Sequence, residues 1–275
     1  MLAPRQVIFT AFEGVLADPG SGSWEAAGEA LAEIERRHIP LVLVTGRTRA
    51  QIEIFRRKIG HAHPFVTEQG GGLFLPDDYF AMHLEGAVRV GRYFNIAFGK
   101  PYAEVVESLE ALSDEAEVEV MGYSQMTARE IAQNTGQSVK EAELDRQREF
   151  SEKFYFVGGV DAGIARFAKA ARDRNWSVTT GTPFCEFWSG NNAGGALQRL
   201  MNLYRTATRN RLHSVAIGSS ARDLPLLASA DQAIVLPARR REPAPDGMQK
   251  LRDAVWCETP GPSGWNAAVL KILAS

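Results

Sequence analysis

Cysteine is scarce: the 275 residues hold two, Cys185 and Cys257. Two thiols so far apart suit neither a secreted disulfide framework nor a zinc site. Histidine is thin as well, with five residues. His61 and His63 stand two apart beside Pro64, a pattern of solvent-facing loop side chains, and His38, His83 and His213 are isolated, so none has metal-ligand spacing. Long apolar runs are missing, and nothing approaches the roughly 20 residues of a bilayer-crossing helix. The opening Met1-Leu2-Ala3-Pro4-Arg5 lacks an apolar secretory stretch, which makes a reducing cytoplasm the expected location. Neither sign of charge dominates: 31 Lys and Arg face 33 Asp and Glu, a net charge of −2. Without a basic stripe, neither nucleic acid nor a membrane surface is expected as a partner. Internal repeats and low-complexity tracts are absent.

What is present is a globular composition. Hydrophobic residues make up 45% of the chain, enough to bury a core without a metal or disulfide staple. The run Val7-Ile8-Phe9-Thr10 is apolar and β-branched and ends at Glu13-Gly14, a buried strand entering a turn. From Trp24 to Arg37, Ala27, Ala30, Leu31 and Ile34 recur at helical spacing, and after Pro40 comes a second strand, Leu41-Val42-Leu43-Val44. A helix over Thr48 to Ile59 and strands at Phe65-Val66-Thr67 and Val215-Ala216-Ile217 extend the pattern. Strand, helix, strand implies parallel βαβ units, and hence an α/β fold with a doubly wound parallel sheet. In such sheets ligands bind beyond the carboxyl ends of the strands, so Thr10 to Gly14, Thr45 to Arg47 and Gly218 to Asp223 are expected to converge.

The middle of the chain mixes helical stretches (Tyr102 to Ser113, Ile164 to Asn175) with strand-like ones (Tyr155-Phe156-Val157, Ser177-Val178-Thr179). That mixture predicts an inserted α+β cap over roughly 83–188, with roughly 1–82 and 189–275 as the core. Arg239 to Gln249 reads as a surface loop. Cys185 is expected to fill space beside Phe184 and Phe187.

Four ordered segments carry a resemblance. Val7-Ile8-Phe9-Thr10-Ala11-Phe12-Glu13-Gly14-Val15-Leu16 resembles the first motif of haloacid dehalogenase-type phosphatases, ordinarily a strand followed by Asp-x-Asp-Gly-Thr-Leu. Val44-Thr45-Gly46-Arg47-Thr48 resembles the second, Asn191-Asn192-Ala193-Gly194 the third, and Gly218-Ser219-Ser220-Ala221-Arg222-Asp223-Leu224-Pro225-Leu226 the fourth. Within that superfamily the chain is similar to the mannosyl-3-phosphoglycerate phosphatases, through Pro64 to Pro76, Gly122-Tyr123-Ser124-Gln125-Met126-Thr127, Arg148-Glu149-Phe150-Ser151-Glu152 and the closing Pro260-Gly261-Pro262-Ser263-Gly264-Trp265. The resemblance implies a Rossmann-like core with a cap, and sugar-phosphate chemistry.

It also implies losses. The nucleophilic aspartate of the first motif is Ala11, whose methyl group has no lone pair with which to attack phosphorus. The general acid is Glu13, the third-motif lysine is Ala193, and the Mg²⁺ ligands become Ala11, Ser219 and Asp223, with Arg222 where asparagine is usual. Asp223 alone is expected to hold Mg²⁺ weakly or not at all, so no cofactor is expected. Thr45, Gly46 and Arg47 match phosphate-holding positions, and the resemblance gives Arg148, Glu149 and Glu152 to the sugar and glycerate. Pro183 and Glu186 replace the usual arginine and histidine, and Gln69 the usual asparagine. Other readings of the same residues stand beside these: Thr45 as a local hydrogen-bonding cap, Asp223 as the cap of the following helix, and 148–152 as a solvated charge run. Three functional classes follow. The foremost is a pseudo-phosphatase that binds a phosphorylated sugar or sugar acid, or regulates a protein partner. The others are an atypical, Mg²⁺-independent phosphatase and a structural subunit.

Overall fold

The computed structural model describes residues 6–158, 161–179, 181, 183–238, 247–248, 251 and 253–274. Along the chain run β1 (Gln6–Ala11), α1 (Gly28–Arg36), β2 (Leu41–Val44), α2 (Arg49–Lys58), β3 (Phe65–Thr67), β4 (Gly72–Pro76), β5 (Val88–Val90), β6 (Tyr93–Ala97), α3 (Tyr102–Ala116) and β7 (Val120–Gly122). There follow α4 (Ala128–Thr135), α5 (Val139–Asp145), β8 (Glu152–Phe156), α6 (Asp161–Asp173), β9 (Ser177–Thr179), β10 (Cys185–Trp188) and α7 (Ala193–Thr208). The chain closes with β11 (His213–Gly218), α8 (Leu224–Ser229), β12 (Gln232–Val235), β13 (Val255–Trp256) and α9 (Gly261–Ala274). These form two compact units, one of residues 1–46, 62–96 and 192–275, the other of 47–61 and 97–191.

The first unit is built on a nine-stranded sheet ordered β13-β12-β11-β1-β2-β3-β4-β6-β5. From β13 to β3 all neighbours are parallel, whereas β4 runs antiparallel to β3 and β5 antiparallel to β6. β1 lies in the interior of the sheet: Val7, Ile8 and Phe9 are apolar in unbroken succession, so both of its faces need covering, and all three are fully buried. The last helix seals this core. Trp265 is fully buried, and its indole Nε1 donates to Thr10 Oγ1 at 2.9 Å.

The second unit is a four-stranded antiparallel sheet, β7-β8-β10-β9. One apolar cluster joins α3 and α6 to it through Val105, Leu109, Phe154, Phe167, Trp176 and Phe187, and Cys185 fills space in the same cluster. A second gathers Tyr123, Met126, Ile131, Ala142 and Phe184. Its helices announce themselves locally: Thr48 with Gln51, Thr127 with Glu130 and Ser138 with Glu141 each form a capping box.

The fold is therefore the expected doubly wound α/β sheet together with an α+β unit. Two stretches are distributed otherwise than the sequence pattern suggests. Residues 88–97, read as the start of the cap, pair at the edge of the nine-stranded sheet, where Val88 is exposed and no apolar run marks a strand. Residues 47–61 group with the second unit, where Thr48 Oγ1 donates to the Leu144 carbonyl at 2.8 Å. Most of the loop expected over 239–249 lies outside the described residues. No helix among the described residues is long and apolar enough to cross a membrane.

Candidate functional site

Parallel pairing sets the carboxyl ends of β11, β1 and β2 side by side, with Thr10 opposite Ile217 and Ala11 opposite Val44. Ala11 ends β1 as a buried methyl group. Beyond it the chain turns tightly: Phe12 N donates to the Val44 carbonyl, Ala17 N to the Phe12 carbonyl, and Gly14, at φ +75°, donates to the Ala17 carbonyl. The half-buried Glu13 projects from this turn. Its carboxylate accepts a 2.5 Å hydrogen bond from Thr45 Oγ1 and a long one, 3.5 Å, from Gly46 N. Thr45 thus serves as a donor to a carboxylate rather than as a local backbone cap.

Two further segments close on this place. Glu68 and Gln69 have φ of +48° and +60°, and Gly70 has +96°. Two successive non-glycine residues in the left-handed region mark a backbone held in strain by its surroundings. The hold is visible: Gln69 N donates to the Thr45 carbonyl, Asn192 N to the Gly70 carbonyl, and a Cβ on Gly70 would meet Ala193 N at 2.2 Å. The Gln69 carboxamide lies over Gly46, where a Cβ would come within 2.7 Å of Nε2. Asn192 caps α7 by accepting from Gly195 N at 2.8 Å, leaving the buried Ala193 as the first helical residue. Only the Gly70-Gly71-Gly72 run hinted at this loop; nothing local in the sequence signals positive φ at Glu68.

The fourth segment is organised by Asp223. Its Oδ2 accepts from Ser219 N at 2.8 Å, Ser220 N at 2.9 Å and Ser220 Oγ at 3.0 Å, and it makes no side-chain bond to the start of α8. The expectation of a cap on the following helix is corrected: Asp223 folds back on the turn before it. Burial pushes its carboxyl above the ordinary range despite those donors. Ser219 Oγ lies beside the Gly14 turn, 3.7 Å from where a Gly14 Cβ would be, and Arg222 is exposed.

The remaining predicted residues belong to the second unit. Arg47 is half-buried and acts electrostatically on Glu141, helping to hold that carboxyl low behind the Ser138 hydrogen bonds. Residues 148–152 are not a solvated charge run. The Arg148 side chain is 0% exposed and donates to Asp145, at 3.1 Å, and to Ser151 Oγ, at 2.7 Å, with Glu186 at 4.0 Å. Glu152, also 0% exposed, accepts from Tyr102 Oη, Tyr123 N and Lys153 N. Glu149 pairs with Arg49 at 3.2 Å. Sequence reading missed this network because a charged run beside a strand looks the same whether its partners are water or side chains. The two loop histidines are also engaged: His61 Nδ1 accepts from Arg56 at 3.0 Å, and His63 Nδ1 lies 2.7 Å from Tyr79 Oη, which lies 2.6 Å from Tyr204 Oη. Burial pushes Tyr79 up to about 12.

No protein-family profile matches the chain. A glucosyl-3-phosphoglycerate/mannosyl-3-phosphoglycerate phosphatase of Methanococcoides burtonii is 28% identical over 273 residues, spanning 98% of this chain and 97% of its own length. A mannosyl-3-phosphoglycerate phosphatase of Pyrococcus furiosus is 26% identical over 233 residues, 84% of this chain and 91% of its own. This chain resembles the mannosyl-3-phosphoglycerate phosphatases. A haloacid dehalogenase-like hydrolase from Bacteroides thetaiotaomicron superposes with a TM-score of 0.66 at 16% identity, covering 97% of this chain and 99% of that one. At that identity the likeness is one of fold, and the fold is haloacid dehalogenase-like.

The positions that the sequence resemblance implies for Mg²⁺ are Ala11, Ser219 and Asp223. The Ala11 side chain offers no oxygen. The Oδ2 of Asp223 already takes three donors, and burial disfavours its charge. Mg²⁺ needs near-octahedral oxygen ligation anchored by carboxylates. These residues do not fit it, and among the described residues no three His, Cys, Asp or Glu side chains are grouped to hold a metal.

Proposed function

We propose that this chain is a pseudo-phosphatase, its first unit the core and its second a cap, that binds a phosphorylated sugar or a sugar acid without hydrolysing it. One observation carries the reading: the end of β1 presents the buried methyl group of Ala11 where a carboxylate would have to attack phosphorus. Every route through an aspartyl phosphate requires an oxygen nucleophile at that atom. The phosphate charge also lacks a lysine at Ala193, and positioned charge accounts for most of phosphoryl-transfer catalysis. Thr45 Oγ1 and Gly46 N remain as anion donors, and both bond to Glu13. The substrate class comes from the names of the relatives, which speak of glucosyl- and mannosyl-3-phosphoglycerate. Two free thiols, Cys185 and Cys257, suit work in a reducing compartment such as the cytoplasm.

The phosphatase names of relatives aligned across nearly the whole chain favour a second reading, an atypical active phosphatase. Phosphate release from mannosyl-3-phosphoglycerate, glucosyl-3-phosphoglycerate and p-nitrophenyl phosphate, with Mg²⁺ and with chelator, separates the two. No release above background is expected, and Ala11→Asp alone is expected not to restore it, since the lysine and the metal ligands stay absent. Steady turnover that Glu13→Ala abolishes would overturn the proposal.

A further inference from the structure

We infer that Glu13 is a built-in competitor for the anion position of the first unit, so that a ligand's phosphate or carboxylate binds by displacing the protein's own carboxylate. The inference rests on the non-hydrolytic binding reading above and adds its regulation. The Thr45 hydroxyl and the Gly46 N–H present donors beyond β2, and both point to Glu13, at 2.5 and 3.5 Å. A carboxylate offers two oxygens on a planar fork, the same acceptors that a sugar acid presents and close to two of a phosphate's three. Glu13 therefore occupies the place as a ligand would.

The architecture separates what is fixed from what moves. The backbone on either side of Glu13 is pinned by the hydrogen bonds of Phe12, Gly14 and Ala17. The receiving loop is pinned as well, because Thr45 N donates to the Val66 carbonyl, Gln69 N donates to the Thr45 carbonyl, and the Gln69 carboxamide covers Gly46. Thr45 is buried, whereas Glu13 is half-buried. Displacement requires the hydrogen bond from Thr45 to Glu13 to break and the Glu13 side chain to change rotamer while the pinned backbone stays in place. An incoming anion gains the same two donors but must also overcome repulsion until Glu13 has swung away. Bound affinity is consequently held down by a residue that no ligand contact list would include.

The test uses the full-length protein with inorganic phosphate and 3-phosphoglycerate as probes, titrated calorimetrically in chelator at fixed ionic strength. Glu13→Gln keeps the shape and removes the charge; Glu13→Ala empties the position. Both are expected to bind the probes at least about tenfold more tightly than wild type, a change of about 1.4 kcal/mol. Thr45→Val is expected to abolish binding in either background. If wild type binds and the Glu13 variants bind equally or less tightly, the competitor role is overturned while the binding reading stands. If neither wild type nor variants bind any probe, the binding reading itself falls. A wild-type crystal structure with bound 3-phosphoglycerate supplies a measurement independent of variant folding. Glu13 should have left Thr45 in it, and a Glu13–Thr45 bond that persists beside the ligand would overturn the inference.

Discussion

Asp145 and Glu152, seven positions apart in the second unit, respond to burial in opposite ways. Burial works against the charge of Asp145, but Lys153 and then Arg148 outweigh it and hold the carboxyl below its ordinary 3.8. Its contribution to stability is fully present above that unfolded-state value and is lost as pH falls through the lowered one. Asp145→Asn removes the negative charge that faces Arg148 at 3.1 Å and Lys153 at 2.7 Å. At neutral pH the expected loss is about 3–5 kcal/mol, the cost of stranding a buried charge. Urea midpoints measured from acid to neutral pH should show the gap between wild type and variant narrowing below the ordinary aspartate value. For Glu152, burial dominates and the carboxyl is raised, against the pull of Tyr102 and Arg148. The sign reverses: its contribution is greatest below 4.5 and declines as pH rises through the raised value. Glu152→Gln, which keeps an acceptor for Tyr123 N, should gain on wild type as pH climbs through that window. A constant offset across the series would contradict the burial of these charges.

Short elements, more than the side chains they carry, set the geometry around Thr45. The loop 68–70 shows this most sharply, since Gly70 combines φ +96° with a Cβ position 2.2 Å from Ala193 N. Gly70→Ala forces either the loop or the start of α7 to shift, and at least about 3 kcal/mol of stability should be lost. In a chain of this size that loss appears as a fall of roughly 6–12 °C in Tm. Gly46→Ala differs, because its Cβ would meet the end of the Gln69 side chain, which can swing aside; a small loss is expected there. How legible these elements were depended on the range of the interactions that make them. The helix over Thr48 to Ile59 is legible because the interactions that start it are local, its capping box lying within four consecutive residues. The left-handed pair Glu68 and Gln69 was not, because contacts from Thr45 and Asn192 impose it. Of the two readings the sequence offers for Asp223, the cap of α8 fails, since the carboxylate faces back to Ser219 and Ser220; a carboxylate before a helix is compatible with either direction. Arg148 and Glu152 were legible as notable residues through resemblance, but their burial depends on partners as distant as Tyr102.

At the scale of the whole chain, the fold class followed from unbroken apolar runs separated by amphipathic helices, a signal repeated often enough to survive local error. Which residues belong to which unit did not, because 47–61 and 88–97 are placed by packing and pairing partners rather than by their own pattern. The first unit closes through contacts between its two ends. Trp265 on α9 reaches Thr10 on β1, and Asn266 Oδ1 accepts from Ala30 N at 2.8 Å. Trp265→Ala should cost about 3–5 kcal/mol as a buried aromatic is removed. Trp265→Phe should cost less, and denaturation of the two variants beside wild type measures the difference. The position of β1 in the sheet has a further consequence, one that concerns synthesis. Its neighbour β2 leaves the ribosome almost at once, but its other neighbour, β11, begins only at His213. At about 5–20 residues per second, the interval between the two is roughly 10–40 seconds. Throughout that time the nascent chain carries an apolar strand with one edge open, and the longer translation dwells between β2 and β11, the more of the newly made protein is exposed to pairing with the wrong neighbour.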